Sequence, residues 1–488
     1  MNVLATIDFH DSLENIKNQL IQARKDSFNT NDRIIILQSC EDEYPYIDAP
    51  GSRLIELQQL LDQLDITNCF VLYDTHNPDI AEEINEVVKN YSYQDSFHKY
   101  SIRSEIYNKQ VKQYSNTSCI KLWDHLYISP EGNSNACCLA DPRFPVGTID
   151  NPRANLAQLK EYVNQGYRIR TCAKCYRNED QGLKSARVPC DKSSTDVDNV
   201  TDLDIRVNNL CNFKCRMCSE EYSSAIQAET VELYGTDAKL GSIQFDLNRA
   251  TLSNRQSRFL SIEPYINQNI KSIYFAGGEP LLVDEHYKIL DKLLEIEHTD
   301  LQIRYNTNMS TLEYKGKSIF EYWKHFSNVN VGASIDCCRA EAEYIRHGTV
   351  WSDIEKNIVS IQQNAPHVKL EFASVVSSIG CESLINLQQD YINSSIEQTI
   401  RVLTHPQFLS VAALPQHHKQ RLSNIINEHI SFLGNTELAQ QWKSVLQYMN
   451  NYDYSYSLSE FKQRMQVLDK HRGESFVDVF PQFADLYD

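Results

Sequence analysis

Cys211, Cys215 and Cys218 span eight residues in a C-x3-C-x2-C arrangement. Three thiolates so spaced can hold three irons of a cubic [4Fe-4S] cluster and leave the fourth iron without a protein ligand. An open iron means that a molecule can bind there, so such a cluster can do chemistry as well as carry electrons. Zinc is the alternative for the same residue types, but a structural zinc site wants a fourth Cys or His nearby. The next histidine after Cys218 is His286. Lys214 and Arg216 place positive charge beside what would be an anionic centre.

A second group lies upstream. Cys119 is followed by twelve residues, Gly132, four more residues and Cys137, and later come Cys172-Ala173-Lys174-Cys175. Residues 127–135 read as a hairpin whose turn at Gly132 returns the chain, so that Cys119 and Cys137 converge while the C-x2-C supplies two more thiolates. Four thiolates serve one iron-sulfur cluster or one zinc ion equally well. Cys138 duplicates Cys137 and Cys190 is unassigned, which leaves room for the ligand set to shift by a residue. Downstream, Gly277-Gly278-Glu279-Pro280 ends one strand candidate, Asn306-Thr307-Asn308-Met309 another, and Ser334 and Asp336 a third, with Arg346 ten residues beyond Asp336. Two glycines let backbone polar groups approach a ligand that a Cβ would exclude, although a plain strand-to-helix turn uses the same residues. Arg346 offers forked donors suited to a carboxylate; a surface ion pair with Glu341 or Glu343 is its ordinary alternative. Cys337 and Cys338, next to that strand, stay outside both ligand sets.

These loops need elements to carry them. From Thr201 onward, apolar strand candidates at 203–207, 272–276, 301–305, 329–335, 369–376 and 399–403 alternate with helical stretches such as 285–297 and 352–364. Ser352 and Glu355 stand at capping-box spacing in the latter. Such alternation implies a parallel α/β sheet curling toward a barrel, with functional groups on loops at the strand C-termini. Residues 236–260 are too polar for core and read as an insertion in the first crossover. Residues 1–110 read as a small α/β module, with strands at 33–38 and 68–73 and helices at 54–64 and 80–91. Residues 111–190 form a Cys-rich region, with a strand-like piece at 121–128. Residues 189–200 read as a polar linker, 200–405 as the α/β core and 406–488 as a helical C-terminal region.

Composition bounds the rest. The 488 residues allow two or three domains, and 47 Lys+Arg against 65 Asp+Glu give a net charge of −18. That balance disfavours a sequence-independent grip on nucleic acid. Residues 1–19 carry Asp8, Asp11 and Glu14 with no basic start ahead of an apolar core, unlike a secretory signal. No apolar run approaches the roughly 20 residues of a membrane helix. The expectation is a soluble, cytoplasmic protein whose 14 cysteines do metal or redox work rather than form disulfides.

The three-cysteine loop, the Gly-Gly-Glu-Pro turn and their order resemble the radical S-adenosylmethionine (radical SAM) superfamily over residues 201–405. The resemblance implies a partial (β/α)6 TIM-like barrel in which Cys211, Cys215 and Cys218 ligate a catalytic [4Fe-4S] cluster. It also implies S-adenosylmethionine (SAM) bound by Gly277, Gly278 and Glu279, with Ser334 and Arg346 on its carboxylate. In that family a reduced cluster splits SAM and the resulting 5′-deoxyadenosyl radical takes a hydrogen atom from substrate. Cys119, Cys137, Cys172 and Cys175 resemble the twitch and SPASM domains, which carry auxiliary [4Fe-4S] clusters, although such domains usually follow the barrel. The resemblance implies a peptide or protein substrate and a reductant such as a flavodoxin or ferredoxin; charge balance and hydropathy, not the resemblance, disfavour a nucleic acid or membrane partner. Small-molecule or cofactor biosynthesis is the enzymatic alternative, and a non-catalytic zinc-binding interaction protein is the alternative of another class.

Overall fold

The computed structural model describes the strands at 3–8, 33–38 and 69–73, then residue 114 and residues 117–130, 132–141, 145–180, 185–187, 200–206, 208–235 and 259–487. The expected helices at 54–64 and 80–91, and nearly all of the expected insertion at 236–260, lie outside the described residues. The chain divides into two units, Met1–His125 with Asn133–Asp198, and Leu126–Gly132 with Asn199–Asp488.

In the first unit β1 (Val3–Asp8), β2 (Arg33–Gln38) and β3 (Cys69–Tyr73) form a parallel sheet in the order β1-β2-β3. The expected strand at 121–128 is half helical instead. Lys121–Asp124 makes one helical turn, closed where Leu122 N–H donates to Cys119 O and Trp123 N–H to Ile120 O, before β4 (His125–Ile128) begins. The turn puts the adjacent residues Leu122 and Trp123 into one core with Ala136, Leu159, Val163 and Ile169. An extended strand would send successive side chains to opposite faces. β5 (Asn133–Asn135) and β6 (Gly147–Thr148) pair antiparallel, and α1 (Leu156–Asn164) and α2 (Ala173–Asp180) complete the described part of this unit.

In the second unit β7 (Asp202–Ile205) leads to a two-residue strand, β8 (Lys214–Cys215), and to α3 (Ser224–Tyr234). β9 (Ser272–Phe275), α4 (Asp284–Glu295) and β10 (Gln302–Thr307) follow. Next come a small hairpin of β11 (Glu313–Tyr314) and β12 (Lys317–Ser318), then β13 (Asn328–Ala333), α5 (Arg339–Ile345), β14 (Arg346–His347) and α6 (Trp351–Asn364). β15 (Lys369–Val376), α7 (Cys381–Asp390) and β16 (Glu397–Val402) end the alternation. The six long strands lie in chain order, β7-β9-β10-β13-β15-β16, and every neighbouring pair is parallel. This is the sheet that strand–helix alternation demands, since a parallel neighbour needs a crossover connection. Ile303, Tyr305 and Thr307 of β10 are buried while the residues between them are partly exposed, so one face carries the core.

Helix starts depart from the sequence expectation. α6 begins at Trp351 behind Val350, with no side-chain cap from Ser352, and the Trp351 N–H is satisfied from α5 by Glu343 Oε1 at 2.8 Å. A carboxylate from a neighbouring element replaces the expected local capping box. The C-terminal region is helical, with α8 (Gln416–Leu433), α9 (Glu437–Asn451) and α10 (Leu458–Arg472) followed by short turns to Leu486, and it belongs to the same unit as the sheet. Among the described residues, no helix is long and apolar enough to cross a membrane.

Candidate metal centres and cofactor site

The loop after β7 carries Cys211, Cys215 and Cys218, and five separate contacts hold it. Glu279 N–H donates to Leu210 O at 2.7 Å, and a Cβ on Gly278 would stand 2.1 Å from that same carbonyl oxygen. Asn308 Nδ2 donates to Asn212 Oδ1 at 2.8 Å, and Asn212 Nδ2 to Ser310 Oγ at 3.0 Å. β8 and β14 pair Cys215 with Arg346 and Lys214 with His347, and Arg216 N–H reaches Ile345 O at 2.8 Å. Ser223 Oγ donates to Phe213 O at 2.7 Å. The fifth contact is the Arg216 side chain, which is fully buried. It stacks 3.6 Å from the Tyr344 ring centre and pairs with Asp469 at 2.8 Å and Glu474 at 2.5 Å. The loop is therefore positioned by its surroundings.

Donors also face the sulfurs. Phe213 N–H lies 3.4 Å from Cys211 Sγ, Asn308 Nδ2 4.0 Å from the same atom, and Arg346 Nη1 3.7 Å from Cys215 Sγ. Such donors stabilise thiolate and raise the potential of a centre bound there. Burial pushes Cys211 up to about 12 and raises Cys215 as well, so a metal binding these thiols displaces protons. His286, the nearest histidine downstream in sequence, lies elsewhere: its Nε2 meets Tyr305 Oη at 2.9 Å in the apolar interior beside Phe275. Among the described residues, no three sulfurs of either cysteine group lie within 4.8 Å of one another, and no histidine or carboxylate joins them in a donor cluster.

The residues expected to hold SAM take up different tasks. Gly277 has φ 117°, a conformation that favours glycine, and a Cβ there would meet Arg206 Cβ at 3.2 Å. Glu279 turns inward. Its carboxylate accepts from Thr307 Oγ1 and Asn308 N–H at 2.7 Å each and from Leu281 N–H at 3.1 Å, and burial lifts its pKa to about 7 despite these donors. The side chain thus ties the β9 turn to the β10 turn, leaving backbone as the part of this motif able to face a ligand. Arg346 pairs with Asp336 at 2.7 Å rather than with Glu341 or Glu343, and Asp336 also accepts from Val375 N–H at 2.7 Å. Burial opposes the Arg346 charge, while Asp336 and Cys215 hold its proton more firmly than usual. Ser334 is half-buried at the end of β13, its N–H on Thr307 O at 2.8 Å. Asn308, directly after β10, is buried against the cysteine loop; Met309 itself adopts φ 61°. Cys337 and Cys338 are buried, their thiols toward Gly380 O at 3.6 Å, just before α7, and Ser383 O at 3.7 Å, on α7.

In the first unit Cys119, Cys137, Cys172 and Cys175 line one space, together with Lys121 and Arg187. Cys138 is not among the lining residues. Burial raises Cys172 well above the thiol range, and neighbouring Cys137, Cys119 and Cys175 raise it further. Arg187 closes one side, held by Glu179 at 2.6 Å and by Ser118 O at 2.8 Å. Cys190 lies outside the described residues.

No family model matches the chain. A GTP 3′,8-cyclase of Staphylococcus epidermidis is 28% identical over 137 residues, which is 28% of this chain and 35% of that enzyme. The chain therefore matches about a third of the length of that relative. Among solved structures, Streptococcus suis SuiB bound to S-adenosylmethionine has TM-score 0.33 at 15% identity, covering 58% of this chain and 53% of that one. Native anSMEcpe with bound AdoMet has TM-score 0.30 at 15% identity, covering 48% and 60%. The cobalamin-dependent S-adenosylmethionine radical enzyme OxsB has TM-score 0.28 at 10% identity, covering 94% and 55%.

Proposed function

We propose that this chain is a radical SAM enzyme. The observation that carries the reading is the three-cysteine loop itself, held by five contacts, with two nitrogen donors and one guanidinium directed at its sulfurs. Cys211, Cys215 and Cys218 would hold a [4Fe-4S] cluster, which together with SAM supplies one-electron cleavage of a sulfonium and a 5′-deoxyadenosyl radical. The backbone of Gly277 and Gly278 would face the methionyl group, with Ser334 and Arg346 toward its carboxylate. Glu279 would serve from behind, fixing the two turns. Arg346 would place its charge beside Cys215, anchored by Asp336.

Cys119, Cys137, Cys172 and Cys175 would hold an auxiliary [4Fe-4S] cluster. Four protein ligands suit electron relay and leave no iron for substrate. Its electrons would come from a small reductant such as a flavodoxin or ferredoxin. A peptide or protein side chain is the substrate class that the twitch-like cysteine pattern supports. The similarity to GTP 3′,8-cyclase favours a second reading, a small-molecule substrate.

Anaerobic reconstitution followed by iron, sulfide and zinc analysis, with a 5′-deoxyadenosine assay under reductant and SAM, tests the proposal. About eight irons per chain and measurable 5′-deoxyadenosine are expected, and Cys215→Ser should abolish the nucleoside product. Zinc in place of iron at Cys211, Cys215 and Cys218, or product formation that survives Cys215→Ser, would end it.

A further inference from the structure

Two imidazoles and a carboxylate converge far in sequence from either cysteine group. α8 opens with Gln416-His417-His418, and the last turn of the described chain, Pro481–Leu486, carries Asp485. His417 Nε2 lies 3.0 Å from Asp485 Oδ2, while His418 Nε2 lies 2.9 Å from Oδ1 and 3.0 Å from Oδ2. One donor atom from each residue falls within 4.8 Å of the other two. His418 is buried between the His417 ring, 4.1 Å away, and Phe483, 4.9 Å away, and its Nδ1 has no partner. The Nε2 edge toward Asp485 is thus where this buried ring makes its polar contact. His417 and Asp485 are 65% and 52% exposed.

We propose that His417, His418 and Asp485 form a divalent transition-metal site of the zinc type, open to solvent on one flank. Two imidazoles with one carboxylate suit zinc and its neighbours rather than the oxygen-seeking magnesium or calcium. Bond lengths of about 2.0–2.2 Å would put neighbouring donor atoms roughly 2.8–3.6 Å apart, from right-angled to tetrahedral. The observed nitrogen–oxygen separations of 2.9–3.0 Å fall in the right-angled part of that span. Arg421, the cation beside His418, is engaged by Glu382 at 2.6 Å and lies over the Phe483 ring. Exposure of His417 and Asp485 leaves room for water to complete the coordination.

The placement gives the site a task. A metal there would staple the terminal turn to the start of α8. The next residue, Tyr487, donates its hydroxyl to Asp469 at 3.1 Å, and Asp469 is the carboxylate that holds Arg216 in the cysteine loop. The staple would therefore stiffen the far end of that brace. Nothing in the proposal depends on the reaction assigned to the cysteine loop.

The full chain, its cysteine sites filled with iron under anaerobic conditions, is titrated with Co²⁺ and then with Zn²⁺. One Co²⁺ per chain beyond the iron is expected, with weak d–d bands, no sulfur-to-cobalt charge transfer, and displacement by Zn²⁺. His417→Ala and Asp485→Asn, both on exposed side chains, should each weaken Zn²⁺ binding by tenfold or more, roughly the scale on which even groups that merely support a ligand act. Zn²⁺ should raise the melting temperature of the parent and not of the variants. Absence of binding, unchanged affinity in Asp485→Asn, or a sulfur-type cobalt spectrum that survives both substitutions would overturn the site. Equal destabilisation by Asp485→Asn with and without Zn²⁺ would reduce the cluster to histidine–aspartate hydrogen bonds and overturn it equally.

Discussion

Gly278 sits where two loops touch, and its lack of a side chain is what lets them. A methyl group there would stand 2.1 Å from Leu210 O, an atom fixed in turn by the Glu279 N–H. Backbone on both sides leaves no flexible side chain to yield. Gly278→Ala should therefore cost about 3 kcal/mol, the upper part of the overpacking range, and should lower iron retention at Cys211, because Leu210 immediately precedes it. Denaturant midpoints and iron analysis check this, and a fully stable, fully loaded variant would show that the loops can part. The glycine pair was legible in the sequence as a place of close approach, but what approaches was not. The same signature arises whether the neighbour is a ligand or the cysteine loop. Likewise the cysteines could be read from their spacing, whereas Arg346's partner Asp336 and the placement of Asn308 against Asn212 depend on loops meeting across 96 residues or on a choice among nearby carboxylates. Local spacing carries no record of such choices.

The elements were legible wherever burial alternates. The strand at 369–376 is found as expected, and the other five long strands of this sheet shift at their ends by at most two residues. Parallel pairing followed from the helices between them. The expectation failed where tertiary partners decide: Lys121–Asp124 turns helical because Leu122 and Trp123 share one core, and α6 is capped by Glu343 of α5. The C-terminal helices read as an appended region, yet α10 and the turn after it supply Asp469 and Glu474 to Arg216, and Arg472 to Glu229, which also pairs with Lys214 at 2.9 Å. Asp469→Asn would leave the buried guanidinium with only the more exposed Glu474 carboxylate. A loss of about 3 kcal/mol is expected, the lower end for breaking a buried pair because one partner remains, and urea midpoints measure it. Glu229 gives the same brace a pH dependence. Burial opposes its ionisation, but Arg472 and Lys214 hold its pKa at about 2, below an unfolded value near 4.3. A lowered carboxyl stabilises the fold at pH above the unfolded value, and that contribution disappears as pH falls from about 4 toward 2. Glu229→Gln should flatten this limb of the stability–pH curve, and a curve of unchanged slope would remove Glu229 from the brace.

At the scale of the whole molecule, the two cysteine groups belong to different units of the chain, and their chemistry should separate accordingly. The upstream set is complete within its own unit: Cys119, Cys137, Cys172 and Cys175 line one space with Arg187 at its side. The downstream loop draws its support from the turns after β9 and β10, from β14, α5, α10 and the residues after α10, all in the other unit. Removing one upstream thiol should therefore leave the downstream loop undisturbed. Cys175→Ser is expected to lower iron and sulfide by about four atoms each, one cluster's worth, while reductive cleavage of SAM in the absence of substrate persists. Turnover of a true substrate should fail, because the relay or electron sink would be gone while the radical source remained. Parallel loss of both iron complements would mean that the two sites assemble together, and an unchanged iron count would strike Cys175 from the ligands. Cys138→Ser supplies the internal comparison: it stands next to Cys137 but does not line the space, so its iron count should match the parent's. Loss of iron in Cys138→Ser with retention in Cys137→Ser would move the ligand by one residue and keep the centre.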